Sequence, residues 1–554
     1  MSNIKNEAVR DDISQPAVVQ NGSSKHFEDS LDHVQWITGW RLWIIGIGQG
    51  LCLFMVQTEL SITGTAIISI TNDLGNFAIS SWVFTAYLLA YGGFPIILTR
   101  LSDILGRKVV WLSCLVLFII FTGACGASQT LFQLIMFRWI TGIGASGVLS
   151  IASLYGFDLR PPEKWAQYSA AVISVVTISF AIAPVIGAAL SNVGQWRWVF
   201  LLNVPLGVVT FLMLSFAAPS KLTQEPASRR RSDIPDGHSK GRTSALRTLD
   251  VIGVVTVLGS SILITAALQQ AAKGIPFRSA QVIALIVVGG LLSLAFVLWQ
   301  WLLSSNSRTV SPLLSWEILT NRIFLGMLVD SWLVGAIVAV SIVQIPQRFA
   351  VVNGYSILDA GVRLLPFAAV MAVSSILATV IMTRAKIPAV NMLISSGLLM
   401  VAGTVGLSKS STSGQLQAHQ YGFQILTGSG VGIMVVVLGI LPPYVVERKY
   451  IAVTSGAVTQ FRLLGSAIGL ALVTCVSNPY LSRNLQGILS TEEIKDFLDR
   501  PSTLYELAPQ KQAALREISG KSYNLQITIM IGFSVATVLF SLLQWQRNAI
   551  VIKG

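Results

Sequence analysis

Arg100-Leu101-Ser102-Asp103-Ile104-Leu105-Gly106-Arg107-Lys108 stands between two long apolar runs, Ser81 to Leu98 and Val109 to Ser128. Its four charges are too many to lie in lipid, and nine residues are too few for a domain. The stretch therefore caps two adjacent membrane helices at one membrane face.

Composition extends that reading to the whole chain of 554 residues, of which 53% are hydrophobic and only 11% charged. The mean hydropathy is +0.68, whereas a soluble protein carries about 25% charged residues. The length suits a polytopic bundle in which each helix needs about 20 apolar residues. Apolar runs predict fourteen spans, near 43–67, 81–99, 109–128, 131–154, 166–190, 198–218, 249–270, 279–303, 323–345, 361–383, 388–407, 420–443, 450–476 and 525–545. The expected fold class is an all-α polytopic membrane protein.

An even number of spans puts both termini on one side, and the basic residues say which. With a cytosolic N-terminus, the short cytosolic loops and the C-terminal tail hold twenty Lys and Arg, against six in the short external loops. This asymmetry sets the orientation. It also explains the net charge of +13 without a nucleic-acid partner, because the basic residues are scattered beside spans.

The domain organisation follows from the polar interruptions. Residues 1–41 read as a disordered cytosolic tail with no secretory signal, and 42–218 as a first six-helix bundle. Residues 219–248, containing Arg229-Arg230-Arg231 among Pro, Ser and Gly, read as a basic cytosolic linker. Residues 249–303 form two additional helices, 304–546 a second six-helix bundle and 547–554 a cytosolic tail. Within the second bundle, 478–523 is expected outside as a partly helical cap, with a helix-like stretch from Gln510 to Ile518.

Enzyme chemistry finds no support. The four histidines, His26, His33, His238 and His419, lie in tails or loops, and no nucleophile with its base or metal-ligand spacing is visible. Cys52, Cys114, Cys125 and Cys475 fall in apolar runs and read as small hydrophobes. No phosphate-binding Gly-rich loop is present, which argues against an ATP-driven machine.

Charges inside apolar runs are costly and mark function. Arg138 lies about seven residues into its span, roughly 10 Å deep at 1.5 Å per residue, and is followed by Gly142 and Gly144, which permit close helix contact. The alternative is an arginine snorkelling at a helix end. Glu59 is the leading candidate for a group that changes charge within the membrane, and Asp330 is the second. For Glu59 the alternative is pairing with a polar neighbour near the outer interface. Asp359 and Arg363, four apart, read as a local helix pair. Pro184 and Gly187 lie on a small-residue face suited to a kink and tight packing.

Several of these strings resemble signatures of the major facilitator superfamily, and specifically its fourteen-span drug:proton antiporters. The opening loop is similar to the gate loop between spans two and three, Gly-x-Leu-Ala-Asp-Arg-x-Gly-Arg-Lys, with Thr99 at the first glycine. The span-five string is similar to the antiporter motif Gly-x-x-x-Gly-Pro-x-x-Gly-Gly, with Ser179, Ala183 and Ala188 replacing three glycines and Pro184 and Gly187 retained. Trp196-Arg197-Trp198, continuing through Phe200, Asn203, Pro205 and Gly207, resembles a further string of the fourteen-span branch. Ser81 to Leu89, Gly361 to Pro366 and Phe461 to Gly469 extend the resemblance over nearly the whole membrane region.

The resemblance implies two six-helix bundles with two extra central helices, alternating access and no cofactor, with transport driven by a proton gradient. It implies a cytosolic gate built on Asp103, Gly106, Arg107 and Lys108, with Arg107 pairing an acid such as Asp158. Proton coupling is assigned to Glu59, Arg138 and Asp330. The substrate cavity is expected between the halves, lined by Gln57, Gln344, Gln424 and Gln460, with Trp332 and Phe423 as apolar surfaces. Four glutamines and few charges suit a bulky, mostly uncharged hydrophobic substrate, such as a drug, toxin or secondary metabolite; the alternative for each lining residue is a lipid-facing or helix-packing role. The expected partners are that substrate, protons and lipid, and the expected form is a monomer in the plasma membrane. The alternatives are a vacuolar location, a carrier for basic amino acids or metal chelates, and a transporter-like receptor.

Overall fold

The computed structural model describes residues 39–75, 79–160, 165–219, 250–306, 312–413, 417–446, 450–490 and 508–547, together with 415, 492–494, 497 and 550. The tail up to residue 38 and the linker at 220–249 lie outside the described residues. Among those described there are nineteen helices and no strand. In chain order these are α1 Trp40–Leu74, α2 Ser81–Gly93, α3 Pro95–Leu105, α4 Arg107–Gly126, α5 Leu131–Asp158, α6 Trp165–Asn192, α7 Trp198–Leu201 and α8 Asn203–Ala217. There follow α9 Val251–Ala272, α10 Ala280–Asn306, α11 Trp316–Leu319, α12 Arg322–Val351, α13 Ile357–Val362 and α14 Leu365–Arg384. The chain ends with α15 Ala389–Ser408, α16 His419–Ile440, α17 Pro442–Val445, α18 Ile451–Leu485 and α19 Pro509–Leu542.

Twelve helices are long and apolar enough to cross a membrane, and a thirteenth is counted when α2 and α3 are taken as one span bent by 42°. The bend has a local cause: Gly92 and Gly93 precede Phe94, and Pro95 opens α3 without a backbone donor. The span expected at 166–190 falls within α6, which runs 28 residues unbroken through Pro184. Fourteen spans are therefore compatible with the fold.

Two expected boundaries differ. Helix α18 continues past 476 to Leu485, and α19 starts at Pro509 instead of 525, so Gln510–Ile518 is the first part of the last long helix and not a separate element. Apolar residues beyond the spans hold these extensions together: Val351, Leu485, Leu489, Ile494, Phe497 and Leu515 form a small buried cluster. Ser490 and Glu493 make a reciprocal capping box, Glu493 Oε2 accepting from Ser490 N at 2.8 Å and Ser490 Oγ from Glu493 N at 3.1 Å.

Helices α1–α8 pack together as one half and α12–α19 as the other. They meet along two seams, α2 against α18 and α6 against α13 and α14, with α1 touching α12. Small residues set the spacing. A Cβ on Gly361 would stand 3.1 Å from Pro184 O, one on Gly64 3.4 Å from Ile342 Cγ2, and one on Gly92 3.2 Å from Leu464 N. Helix α9 lies over the α2–α18 seam and carries α10 on its other side, so the additional pair flanks the junction of the halves. Asp250 ties the pair down, accepting from Gly253 N, Trp299 Nε1, Gln300 Nε2 and Leu313 N at 2.6–3.1 Å.

Candidate functional site: a buried ion pair and its gate

Glu59 is the twentieth residue of the 35 in α1 and is fully buried. With no exposed surface, the carboxylate must find its partners within the protein. Arg138, on α5 and equally buried, reaches Glu59 Oε1 through Nη1 at 2.6 Å. Thr122 Oγ1 on α4 donates to Glu59 Oε2 at 3.3 Å, and Arg138 Nε donates to Val83 O on α2 at 3.1 Å. The guanidinium lies over the Tyr87 ring with its central carbon 4.0 Å from the centroid. Four helices of the first half thus converge on one ion pair.

The glycines after Arg138 allow the convergence. A Cβ on Gly142 would lie 2.6 Å from Tyr87 O, and one on Gly144 would lie 2.7 Å from Phe118 N, so α5 touches the α2 and α4 backbones. Gly187 does the same for α6 and α1, where a Cβ would stand 2.8 Å from Ile62 O. Pro184 O lies at the seam beside Gly361, placing the span-five motif where the halves meet.

The loop at 100–108 is a tight turn between α3 and α4. Gly106 has φ +100°, a conformation costly for any residue with a side chain, and it lets α4 begin at once. Two positive side chains then open α4 at its positive end, which is unfavourable unless they turn elsewhere. Arg107 Nε pairs with Asp158 Oδ2 at 2.8 Å, and Lys108 Nζ donates to Ser215 O at 2.7 Å and Ala218 O at 2.6 Å, capping α8. Arg100 Nη2 donates to Pro312 O at 3.3 Å, crossing to the chain that leads into the second half. The Asp103 side chain lies outside the described residues, although its backbone continues α3.

In the second half, Asp330 is fully buried on α12 and accepts from Ser541 Oγ at 2.9 Å, in the last turn of α19, and from Gln544 Nε2 at 2.7 Å, just past its end. It is not joined to the Glu59 cluster. Asp359 and Arg363 do form a local pair, 3.8 Å apart, with Arg363 lying over Tyr355.

The expected cavity residues divide among three places. Gln57 Oε1 accepts from Tyr91 Oη at 3.3 Å, and the Gln460 backbone lies beside Gly92, so both border the α2–α18 seam. Gln344 and Gln424 line a small cavity inside the second half with Arg348, Gln420 and Tyr523. Trp332 packs edge-on against Phe533, and Phe423 against His419 and Gly406, so both serve helix packing. Sequence reasoning passed over Thr122 and Tyr87, which are ordinary residues in membrane helices and gain their roles only from the fold.

A further polar knot lies at one end of the first half. Asp73 Oδ2 accepts from Trp196 Nε1 and Arg197 Nη1, each at 2.9 Å, while Arg197 Nη2 donates to Ser128 O at 3.2 Å. The Trp196 and Arg197 hydrogen bonds hold the Asp73 carboxyl below the usual range. The tryptophan-arginine string thereby fastens the start of α7 to the end of α1.

Known proteins agree with this architecture. A family model of the Major Facilitator Superfamily matches residues 50–470. The chain is 31% identical over 511 residues to the MFS-type transporter FPY5 of Fusarium mangiferae, covering 92% of this chain and 85% of that protein. It is 27% identical over 445 residues to Multidrug resistance protein 3 of Bacillus subtilis, covering 80% and 81%. Among solved structures, a bacterial homolog of the human lysosomal transporter Spinster, inward-facing and occupied, superposes with a TM-score of 0.59 at 16% identity, over 92% of this chain and 98% of that one. By family and fold, the chain is a multi-pass membrane transporter of the Major Facilitator Superfamily and not an enzyme.

Proposed function

We propose that the protein is a proton-coupled exporter of small hydrophobic or amphipathic compounds, with Glu59 as the proton site and Arg138 as its charge partner. The observation that carries this reading is the fully buried Glu59–Arg138 pair at 2.6 Å, set among four helices. Protonating Glu59 removes one charge of a desolvated pair and leaves Arg138 uncompensated, so the proton favours a different arrangement of α1, α4 and α5. That linkage is what antiport requires: proton occupancy biases one access state and substrate the other. No cofactor is needed, because the gradient supplies the driving force.

The gate contacts support alternating access. Arg107–Asp158 and Arg100–Pro312 fasten one face, while the α6–α13 and α1–α12 contacts close the opposite one. The excess of basic residues in the loops on that side supports a cytosolic 100–108 loop with both termini inside, and an exporter oriented this way clears the cytosol from either the plasma membrane or the vacuolar membrane. Export is supported by the multidrug-resistance name of the Bacillus relative.

The test is efflux of a panel of fluorescent hydrophobic dyes from cells expressing the chain, with and without collapse of the proton gradient. Efflux above that of empty cells, abolished by collapse, is expected. Accumulation equal to that of empty cells for every dye refutes the exporter reading.

A further inference from the structure

The α2–α18 seam holds a cation with no counter-charge. Arg462 is the twelfth residue of the 35 in α18, and its backbone presses on Gly335 of α12. The side chain is half-buried, about 18 Å along α18 at 1.5 Å per residue. Across the seam, α2 packs closely at this level: a Cβ on Gly92, the residue after Tyr91, would stand 2.7 Å from the Cβ of Leu463, the residue after Arg462. Among the described residues, Arg462 forms no ion pair and donates no hydrogen bond.

The protein's own acids at membrane depth are occupied elsewhere. Glu59 is taken by Arg138, and Asp330 by Ser541 and Gln544. A guanidinium in a low-dielectric setting without a partner is strongly unfavourable. On the facing helix Tyr91 Oη donates to Gln57 Oε1 at 3.3 Å. A neutral substrate would leave the guanidinium uncompensated, and a cationic one would be repelled. An acid supplies the missing charge, and the guanidinium fork matches a carboxylate in two parallel hydrogen bonds.

We propose that Arg462, on the α18 side of the seam that faces the Tyr91–Gln57 pair, receives the acidic group of the substrate, so that the transported compound is an amphipathic carboxylic acid. This rests on the exporter reading for its meaning as transport, but the site itself is a matter of binding. It lies next to the proton site: Tyr91 is one helical turn from Tyr87, their ring centroids 5.4 Å apart, and Tyr87 lies under Arg138. Between the acid site and the proton site stand Tyr91 and Tyr87, their rings tilted by 36° to one another, close enough for occupancy of one site to influence the other.

The experiment uses the full chain in lipid nanodiscs and in proteoliposomes, with 6-(dansylamino)hexanoic acid and its primary amide as matched probes. Dansyl emission reads binding, and gradient-driven flux reads transport. Wild type is expected to bind the acid at least tenfold more tightly than the amide. Arg462→Gln should bring the two probes level, Arg462→Lys should keep part of the preference, and Tyr91→Phe should weaken the acid several-fold with little effect on the amide. Equal binding of acid and amide by wild type, or an undiminished preference in Arg462→Gln, overturns the proposal; gradient-driven dye efflux without acid preference does so while leaving the exporter reading intact. Preference lost in Arg462→Gln without flux of either probe upholds the site and refutes the exporter reading. Should Arg462→Gln fail to fold, the Arg462→Lys and Tyr91→Phe results decide.

Discussion

Glu59 and Arg138 announce themselves in the sequence, because a charge in an apolar run has no other explanation than a partner or a task. That they are each other's partner is not legible, since 79 positions separate them and only the packing of α1 on α5 joins them. The glutamines show the opposite difficulty. Gln57 and Gln344 are the same residue type in similar apolar settings, yet one faces the seam and the other an internal cavity. Residue identity does not say which face of a helix looks inward. Glu59→Leu removes the counter-charge of a buried arginine, and we expect a loss of about 3–5 kcal/mol, read as a lowered melting temperature in detergent. Glu59→Gln keeps an acceptor oxygen for Arg138 and should lose less. Asp73 offers a pH test outside the spans. Its carboxyl is held below the ordinary aspartate value of 3.8, so its contribution is complete above that value and disappears as pH falls through the lower folded value. The melting difference between wild type and Asp73→Asn, present at pH 7, should shrink as pH drops below about 3.8; a difference independent of pH would contradict this origin.

Helix positions were legible to within a few residues wherever lipid sets the limits, because an apolar run ends where water begins. The extensions of α18 and α19 escaped notice because their apolar residues are spaced along amphipathic turns and buried against one another, not against lipid. Close packing between α12 and α18 depends on Gly335 and Gly465, where an added Cβ would meet the Arg462 and Trp332 backbones. Gly465→Leu should therefore cost about 1–3 kcal/mol, and normal stability of this variant would contradict the close approach. The gate pair is a smaller effect. Arg107 and Asp158 are 18% and 33% exposed, so a double-mutant cycle with Arg107→Ala and Asp158→Asn should return a coupling of at most about 1 kcal/mol. Transport should fall further than stability does if, as proposed, the contact belongs to one access state. Equal loss of both would reduce the pair to a fastener.

At the scale of the molecule, two halves meet across glycine-lined seams, and α9 covers one of them while α10 presents most of its surface outward. The additional pair is thus placed to follow relative movement of α2 and α18, and Asp250 gives it a fixed anchor. Asp250→Leu would strand four donors and should loosen the pair without disturbing the Glu59 cluster, a separation that limited proteolysis near residues 306–313 would reveal. The seam carries the proposed acid site, and the first half carries the proposed proton site, so coupling reduces to whether occupancy of one shifts the other. The most direct test traps a pH-sensitive dye inside proteoliposomes and imposes a gradient of a transported compound. Wild type should move protons against the compound, while Glu59→Gln should exchange labelled for unlabelled compound with no proton movement. Proton flux of wild-type size in Glu59→Gln would contradict the assignment of Glu59 as the coupling group.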